Sequence, residues 1–190
     1  MEIYRQPKRK RCFHQGRGSW AEKPFSNKTV REVGCGLVAL TNIAIETDKY
    51  AKATPNTFRK YMNQFTTPNH GVWGVHMPEA FEHIGLTEIK DFKGDILGGR
   101  MTPFFREMKK GDRVGIILFQ NHLRDEGKVQ TAPDGTIWAE TGHYVAVVGA
   151  KKVGKRYFLY CKDSSSRNND GWFGYRSMAG CIRYMWSGRI

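Results

Sequence analysis

Apolar residues recur at helical spacing in the first half of the chain and at strand spacing in the second half. From Cys35 to about Thr47, apolar side chains three and four positions apart predict a buried helix. Cap, proline and glycine signals predict three more helices, which begin at Thr54-Pro55, near Met77-Pro78 and at Thr102-Pro103. The last two end before Gly85 and at Lys109-Lys110-Gly111.

An apolar run rich in β-branched residues predicts a buried strand at 113–119, and further strands are expected at 143–149, 155–163 and 181–186, with a short one within 3–14. The turn Pro133-Asp134-Gly135 predicts a hairpin over 129–138. Helices followed by an antiparallel sheet are typical of the α+β class. At 190 residues, we expect one domain over 1–190.

The charge of the chain indicates contact with polyanions. The formal net charge is +13, and a basic N-terminal segment of about residues 1–12 carries part of the excess. Acidic wall polymers, an anionic membrane surface and nucleic acid are the partners that such a charge suits. A solvated basic arm is the equal alternative for this segment, and the spread of the other cations argues against one dedicated nucleic-acid groove.

No apolar run reaches the length of a membrane-spanning helix. The basic start, MEIYRQPKRKRCF, has no apolar stretch behind it and is not a secretory signal. We therefore expect cytoplasmic synthesis, with non-classical or phage-mediated release as a further route, and the final location stays open.

Gly34-Cys35-Gly36 places a thiol where a loop becomes a helix. The first-turn N–H groups and the helix dipole lower the pKa of a thiol there, which favours a nucleophile over a structural cysteine. Gly36 is expected to leave room for a substrate backbone beside the sulfur.

The other three cysteines are given lesser roles. Cys12, beside a run of cations, is kept as a decoy or redox partner, and Cys161 and Cys181 are expected in the core. No CxxC is present, so spacing offers no scaffold for zinc.

A nucleophilic thiol needs a base, and His143 is the candidate because it heads an apolar strand and shares a face with Val145 and Val147. The remaining histidines are assigned to the surface or to structural packing: His14, His70, His76, His83 and His122.

Asp163 ends the next strand and is the candidate that orients the base. Asn168, Asn169 and Asp170 are close enough in sequence to replace it. Two donors are candidates for the oxyanion: the backbone N–H of Cys35 and the side-chain amide of Gln15.

The order Gln15, Trp20, Gly34-Cys35-Gly36, Gly142-His143-Tyr144-Val145 and Asp163 resembles the papain-like cysteine peptidases over about residues 12–186. Within that superfamily the chain resembles the bacteriocin-leader-processing, double-glycine peptidase-like group. It implies a papain-like fold, with N-terminal helices packed against a C-terminal antiparallel sheet. It also implies hydrolysis of peptide bonds through a thioester, with no metal and no cofactor, and Gln15, Cys35, His143 and Asp163 as catalytic residues.

One departure concerns the residue after the aspartate, where the family often has proline and this chain has Ser164. Because the third member can be asparagine in such relatives, Asn168 stays an alternative to Asp163. Trp73 in HGVWGVH is assigned to core or loop packing, with a substrate groove as the alternative.

The substrate class stays open between peptidoglycan peptides and a protein, and the charge favours a wall-associated or phage-type hydrolase. Two rivals remain. One is a basic module that binds nucleic acid or another polyanion without catalysis, although no recognised nucleic-acid motif is present. The other is an inactive papain-like fold that only binds peptides, against which the four retained site residues argue.

Overall fold

The computed structural model describes residues 1–165 and 169–190 of the chain. Its main feature is a seven-stranded antiparallel sheet in the order β4-β9-β5-β6-β7-β8, with β1 paired to the far end of β6. The strands are β1 (Glu2–Arg5), β4 (Thr87–Lys93), β5 (Arg113–Gln120), β6 (Gly142–Val153), β7 (Arg156–Asp163), β8 (Gly171–Gly174) and β9 (Ile182–Arg189). The short strands β2 (Pro24–Phe25) and β3 (Lys28–Thr29) form a separate ribbon.

The helices follow the predicted order along the chain. They are α1 (Val30–Val33), α2 (Cys35–Ala44), α3 (Pro55–Asn63), α4 (Met77–His83) and α5 (Met101–Met108). Thr54 caps α3 with Pro55 at its first position, and Gly85 follows α4 with a positive φ of 85°, as the sequence signals predict. In the described part of the chain, none of these helices is long and apolar enough to cross a bilayer.

The mixed architecture of five helices and an antiparallel sheet agrees with the expected α+β class. The division into helical and sheet halves is less strict than expected, because β1 and β4 come from the first half and join the same sheet. Both are edge or flanking strands, so the apolar centre of the sheet, β5 and β6, still comes from the second half.

The predicted hairpin over 129–138 is wrong. A turn is present, in which the N–H of Gly135 donates to the carbonyl of Ala132 over 2.8 Å, but no strands flank it. The Asn121 side chain, 4% exposed, instead bonds the backbone around this segment through both its amide nitrogen and its oxygen. The Trp138 ring is fully buried. Side-chain anchors thus replace the backbone ladder here.

Hydrophobic clusters cover both faces of the sheet. On one face α2, α3 and α4 pack against alternate β6 residues, among them Tyr144 and Ala146. On the other face α5 and Trp138 pack against Val145 and Val147. The 2.0-residue period of β6 therefore divides its buried side chains between two cores, which explains why nearly the whole strand is apolar.

The basic N-terminal segment is docked on the domain. Strand β1 pairs with β6, and Lys8 and Arg9 form ion pairs with Asp48. The backbone N–H of Lys8 donates to the buried carboxylate of Glu46 over 2.6 Å. Part of the positive charge that the sequence showed is thus compensated by the carboxylates beyond α2.

Candidate active site

Cys35 is the first residue of α2, and Gly34 occupies the N-cap position, as predicted. The sulfur is partly buried, and the backbone N–H groups of Gly36 and Tyr144 donate to it. Such donors stabilise a thiolate more than a thiol. The start of α2 and the start of β6 therefore each supply one backbone donor to the sulfur.

His143, 6% exposed, lies at the start of β6 and forms a side-chain hydrogen bond with Cys35. Burial alone raises the pKa of the Cys35 thiol, but the imidazole hydrogen bond and charge outweigh it, so the net pKa is lowered. Burial likewise lowers the pKa of His143, yet Asp163 and Cys35 together raise it to about 9. Each shift favours a thiolate–imidazolium pair.

Asp163 is the acceptor that orients this imidazole. Its Oδ1 lies 2.6 Å from Nε2 of His143, and the carboxylate is fully buried at the end of β7. The antiparallel register pairs Asp163 with Val145, two residues beyond the histidine, as the sequence argument about strand ends expected. Since Nε2 bonds to Asp163, Nδ1 is the ring nitrogen left for the sulfur.

The serines after Asp163 hold the carboxylate and the neighbouring strand. The N–H and hydroxyl of Ser165 donate to the two carboxylate oxygens over 2.8 and 2.9 Å. The hydroxyl of Ser164 donates to the carbonyl of Tyr144 over 2.7 Å. Although burial raises the pKa of Asp163, the hydrogen bonds from His143 and Ser165 bring it below its ordinary value. The absence of proline thus does not leave the carboxylate unsupported.

The sequence alternatives to Asp163 lie elsewhere or outside the description. Asn169 donates its side-chain N–H to the carbonyl of Ile137, and Asp170 accepts the backbone N–H of Asp163. Asn168 lies outside the described residues. Of the candidates with a described position, Asp163 is the one bonded to His143.

Gln15 lies between the two parts of the site. Its backbone N–H donates to the carbonyl of Ser164 over 2.7 Å, and its side-chain amide donates to the carbonyl of Arg31 over 2.9 Å. One bond thus ties it to the segment after Asp163, and the other ties it to the helix before Cys35. An amide carries two N–H bonds, so the bond to Arg31 leaves one N–H unused, but Gln15 is not among the residues that line the cleft beside Cys35.

Gly36 serves packing rather than substrate approach, which corrects the sequence interpretation. The residue is buried, and a Cβ there would lie 3.1 Å from Val72, 3.3 Å from Met77 and 3.4 Å from Tyr144. The missing side chain lets α2 approach the start of β6 closely. The glycine therefore helps bring Cys35 to its strand partners.

Cys35 opens into a cleft of about 1010 Å³. Trp73 and Val75 in its lining are 52% and 78% exposed, and Trp186, which packs against Gly74 between them, also lines the cleft. The hydroxyl of Tyr144 donates to the carbonyl of Val72 over 3.0 Å and fixes the loop that carries Trp73. This exposure argues against core packing for Trp73, whereas the bond from its indole N–H to the hydroxyl of Thr67 over 3.0 Å agrees with loop packing, and its place in the lining agrees with the groove alternative. The rim is charged with both signs, from Lys28, Glu32, Asp91 and Arg183.

The remaining cysteines differ from Cys35. Cys161 and Cys181 are buried in the core, as predicted, and burial raises the pKa of both thiols, that of Cys181 to about 11. Burial and the Asp170 carboxylate raise the pKa of Cys12, so its cationic sequence neighbours do not make it reactive.

The sequence patterns did not indicate the roles of Tyr144, Ser164 and Ser165. Tyr144 contributes a backbone donor to the sulfur and a hydroxyl that holds the cleft wall. The one available signal was its position next to His143, where an aromatic residue faces the opposite side of the strand.

No protein-family model matches this chain, and no curated protein is similar to it at a significant level. The candidate site is therefore defined by the placement of Cys35, His143 and Asp163 and by the cleft beside them.

Proposed function

We propose that this protein is a papain-like cysteine peptidase that hydrolyses peptide bonds. The observation that carries the proposal is the chain of contacts from Cys35 at a helix start, through His143, to the buried carboxylate of Asp163. A thiol, an imidazole and a carboxylate in this order form a nucleophile, a base and an orienting group. The thiol also faces a cleft with exposed apolar walls, which suits a peptide.

Acylation begins from the thiolate–imidazolium pair. The Cys35 thiolate attacks the scissile carbonyl, and the negative charge moves to the carbonyl oxygen. The backbone N–H of Cys35 and the free amide N–H of Gln15 are the proposed donors to this oxyanion. As the C–N bond breaks, the His143 imidazolium gives its proton to the leaving amine, which leaves a thioester and a neutral imidazole.

Deacylation reverses the proton transfer. Neutral His143 takes a proton from water, the hydroxide attacks the thioester carbonyl, and the acid product leaves as the C–S bond breaks. The Cys35 thiolate and the His143 imidazolium are thereby restored. Asp163 keeps the imidazole in its tautomer and position through both steps.

Peptidoglycan peptides and protein segments are the two proposed substrate classes. The cleft has apolar walls and a rim with both charges, so it suits a mixed-charge peptide, and the net charge of +13 favours an anionic wall polymer near it. A bacterial or phage wall hydrolase fits both features.

A digest of a peptide library and of purified peptidoglycan tests the proposal, with products identified by mass spectrometry. Wild type is compared with Cys35→Ala and with Cys181→Ala, which removes a core thiol as a matched control. We expect cleavage by wild type and the control and none by Cys35→Ala. Cleavage by Cys35→Ala at the wild-type rate would refute the assignment of the nucleophile.

A polyanion-binding module is the second candidate, and a basic groove away from the thiol favours it. This groove has a volume of about 760 Å³, and its lining includes four exposed cations: Arg100, Lys155, Arg156 and Arg176. Binding of nucleic acid or wall teichoic acid that weakens steeply with salt, without thiol-dependent hydrolysis, would favour this candidate over the peptidase.

A further inference from the structure

Three side chains of types that bind transition metals meet behind the proposed catalytic carboxylate. Cys12 Sγ, a ring nitrogen of His14 and a carboxylate oxygen of Asp170 all lie within 4.8 Å of one another. Cys12 Sγ is 3.4 Å from Asp170 Oδ1, and His14 Nε2 is 3.7 Å from Asp170 Oδ2. Ligand atoms around a tetrahedral zinc ion are about 3.3–3.6 Å apart, given Zn–S and Zn–N distances near 2.3 and 2.0 Å.

The histidine of this cluster is already held in the tautomer that binds metal. His14 Nδ1 lies 2.7 Å from the carbonyl oxygen of Ser165 and must donate its hydrogen there. In the neutral ring the lone pair is then on Nε2, which lies 3.7 Å from Asp170 Oδ2. A backbone carbonyl on the second ring nitrogen is the usual outer partner of a metal-bound histidine.

The surroundings of Cys12 also suit a bound thiolate. The amide of Asn42, which is fully buried, donates to the sulfur over 3.6 Å, and the same amide binds the backbone of Phe13 on both sides. The side chains of His14 and Asp170 remain 13% and 32% exposed, so an ion has a path from solvent.

We propose that Cys12, His14 and Asp170 bind a zinc-class divalent cation, with water as the fourth ligand. Sulfur, imidazole and carboxylate together favour Zn²⁺ over Mg²⁺ or Ca²⁺, which prefer oxygen ligands. On binding, the Cys12 thiol loses its proton to solvent, and the thiolate and carboxylate balance the two charges of the ion.

The site is separate from the proposed nucleophile but adjacent to its support. Asp170 Oδ1 accepts the backbone N–H of Asp163 over 2.7 Å, and His14 directly precedes Gln15. An ion there would join the N-terminal segment to the residues after β7. Its role is to brace the backbone on which Asp163 and Gln15 are placed, and no step of hydrolysis passes through it.

Cobalt titration tests the site directly. Co²⁺ is added to the Cys35→Ala chain, in which the thiol beside His143 cannot contribute a signal. We expect one equivalent to bind with sulfur-to-cobalt charge-transfer absorption and the strong visible bands of tetrahedral cobalt. In the same background, Cys12→Ser should abolish the sulfur band, and His14→Gln should weaken binding at least about 10-fold.

Cys181→Ser and His122→Gln are the matched controls, since they remove the same atom types elsewhere and should leave the spectrum unchanged. An octahedral spectrum, or a sulfur band that survives Cys12→Ser, would overturn the proposal. If a variant fails to fold, alkylation of the wild type decides: Zn²⁺ should protect Cys12 from iodoacetamide, and equal labelling with and without Zn²⁺ would also overturn it. Neither readout depends on hydrolysis.

Discussion

Cys12 and Cys35 are both partly buried, and each has a histidine and an aspartate nearby, yet the pKa values of their thiols move in opposite directions. Burial raises the pKa of both. At Cys35, the lowering effect of His143 and of the backbone N–H groups of Gly36 and Tyr144 outweighs burial, so the net pKa of the thiol is lowered. At Cys12, the Asp170 carboxylate adds to the effect of burial and the pKa rises further.

The two sites show that residue types alone do not make a nucleophile. The sulfur of Cys12 faces two acceptors, the carboxylate of Asp170 and the carbonyl of Asp163, beside the one amide donor from Asn42. Its histidine, His14, points Nε2 to Asp170 and bonds through Nδ1 to Ser165. An acceptor-lined thiol stays protonated until a cation replaces its hydrogen, whereas a donor-lined thiol ionises without one.

Removal of the His143 imidazole is expected to change the difference between the two thiols more than any other substitution considered. In His143→Ala, burial is left as the dominant influence on Cys35, so its thiol pKa rises. Hydrolysis should fall by about 10²–10⁴-fold, and iodoacetamide labelling of Cys35 at neutral pH should drop toward that of Cys12 in zinc-free protein. Mass spectrometry of the labelled peptides measures both thiols in one sample. His122→Gln is the control, and full activity in His143→Ala would remove it as the base.

A substitution of Glu46 should change the surroundings of Cys12 and leave those of Cys35 as they are. Its carboxylate, 1% exposed, bonds to Nζ of the equally buried Lys162 over 2.8 Å and accepts the N–H of Lys8. Glu46→Ala leaves Lys162 without its buried counter-charge, so the free energy of unfolding should fall by about 3–5 kcal/mol. Urea denaturation measures this loss.

Asp48→Ala is the matched control, because Asp48 pairs with the same N-terminal segment but its side chain is 80% exposed. Its loss should cost no more than about 1 kcal/mol. In folded Glu46→Ala, labelling of Cys12 should rise while that of Cys35 stays constant, because Glu46 lies beyond the opposite end of α2 from Cys35. Equal changes at both thiols would show that the two sites are not independent.

The elements that the sequence predicted well are those with continuous local signals. The apolar face of α2, the proline start of α3 and the β-branched run of β5 each specify a structure within a dozen residues. The hairpin over 129–138 failed because its turn signal was local, while the buried Asn121 and Trp138 side chains that hold the segment act from outside the pattern.

The candidate site shows the same division. Cys35, His143 and Asp163 could be selected because each ends or begins a strongly patterned element. The contact between their side chains depends on the β6–β7 register, which local patterns do not determine. From the sequence it was therefore an expectation. The cluster of Cys12, His14 and Asp170 was missed because its third member is contributed by a different part of the chain, and spacing rules for zinc detect only local pairs.

Gln15→Ala separates stabilisation of the oxyanion from activation of the thiol. Its amide is fixed to Arg31 and reaches neither Asp163 nor His143 through its side-chain bond. If the free N–H binds the oxyanion, kcat should fall by about 10²–10³-fold, or roughly 3–4 kcal/mol of transition-state stabilisation. Labelling of Cys35 should stay at the wild-type rate, since alkylation forms no oxyanion. Parallel losses of both would assign Gln15 to structure instead.

The smallest expected effect concerns the pH dependence of hydrolysis, which tests the difference between the two thiols. Activity needs the Cys35 thiolate and the His143 imidazolium together, so it is lost as pH falls through the lowered pKa of the thiol. It is lost again as pH rises through the His143 pKa of about 9. Below the lower of these pKa values and above the upper one, kcat/KM should fall about tenfold per pH unit. Because the thiol and the imidazole interact, the two apparent pKa values describe the pair and not either residue alone.

Labelling of Cys12 in zinc-free protein supplies the reference curve in the same samples. That thiol lacks an imidazolium partner, so its reactivity should still be rising at the pH where hydrolysis declines. A hydrolysis rate that climbs through pH 9 in step with Cys12 labelling would mean that Cys35 behaves as an ordinary buried thiol. The donors around its sulfur would then be insufficient to separate the two cysteines.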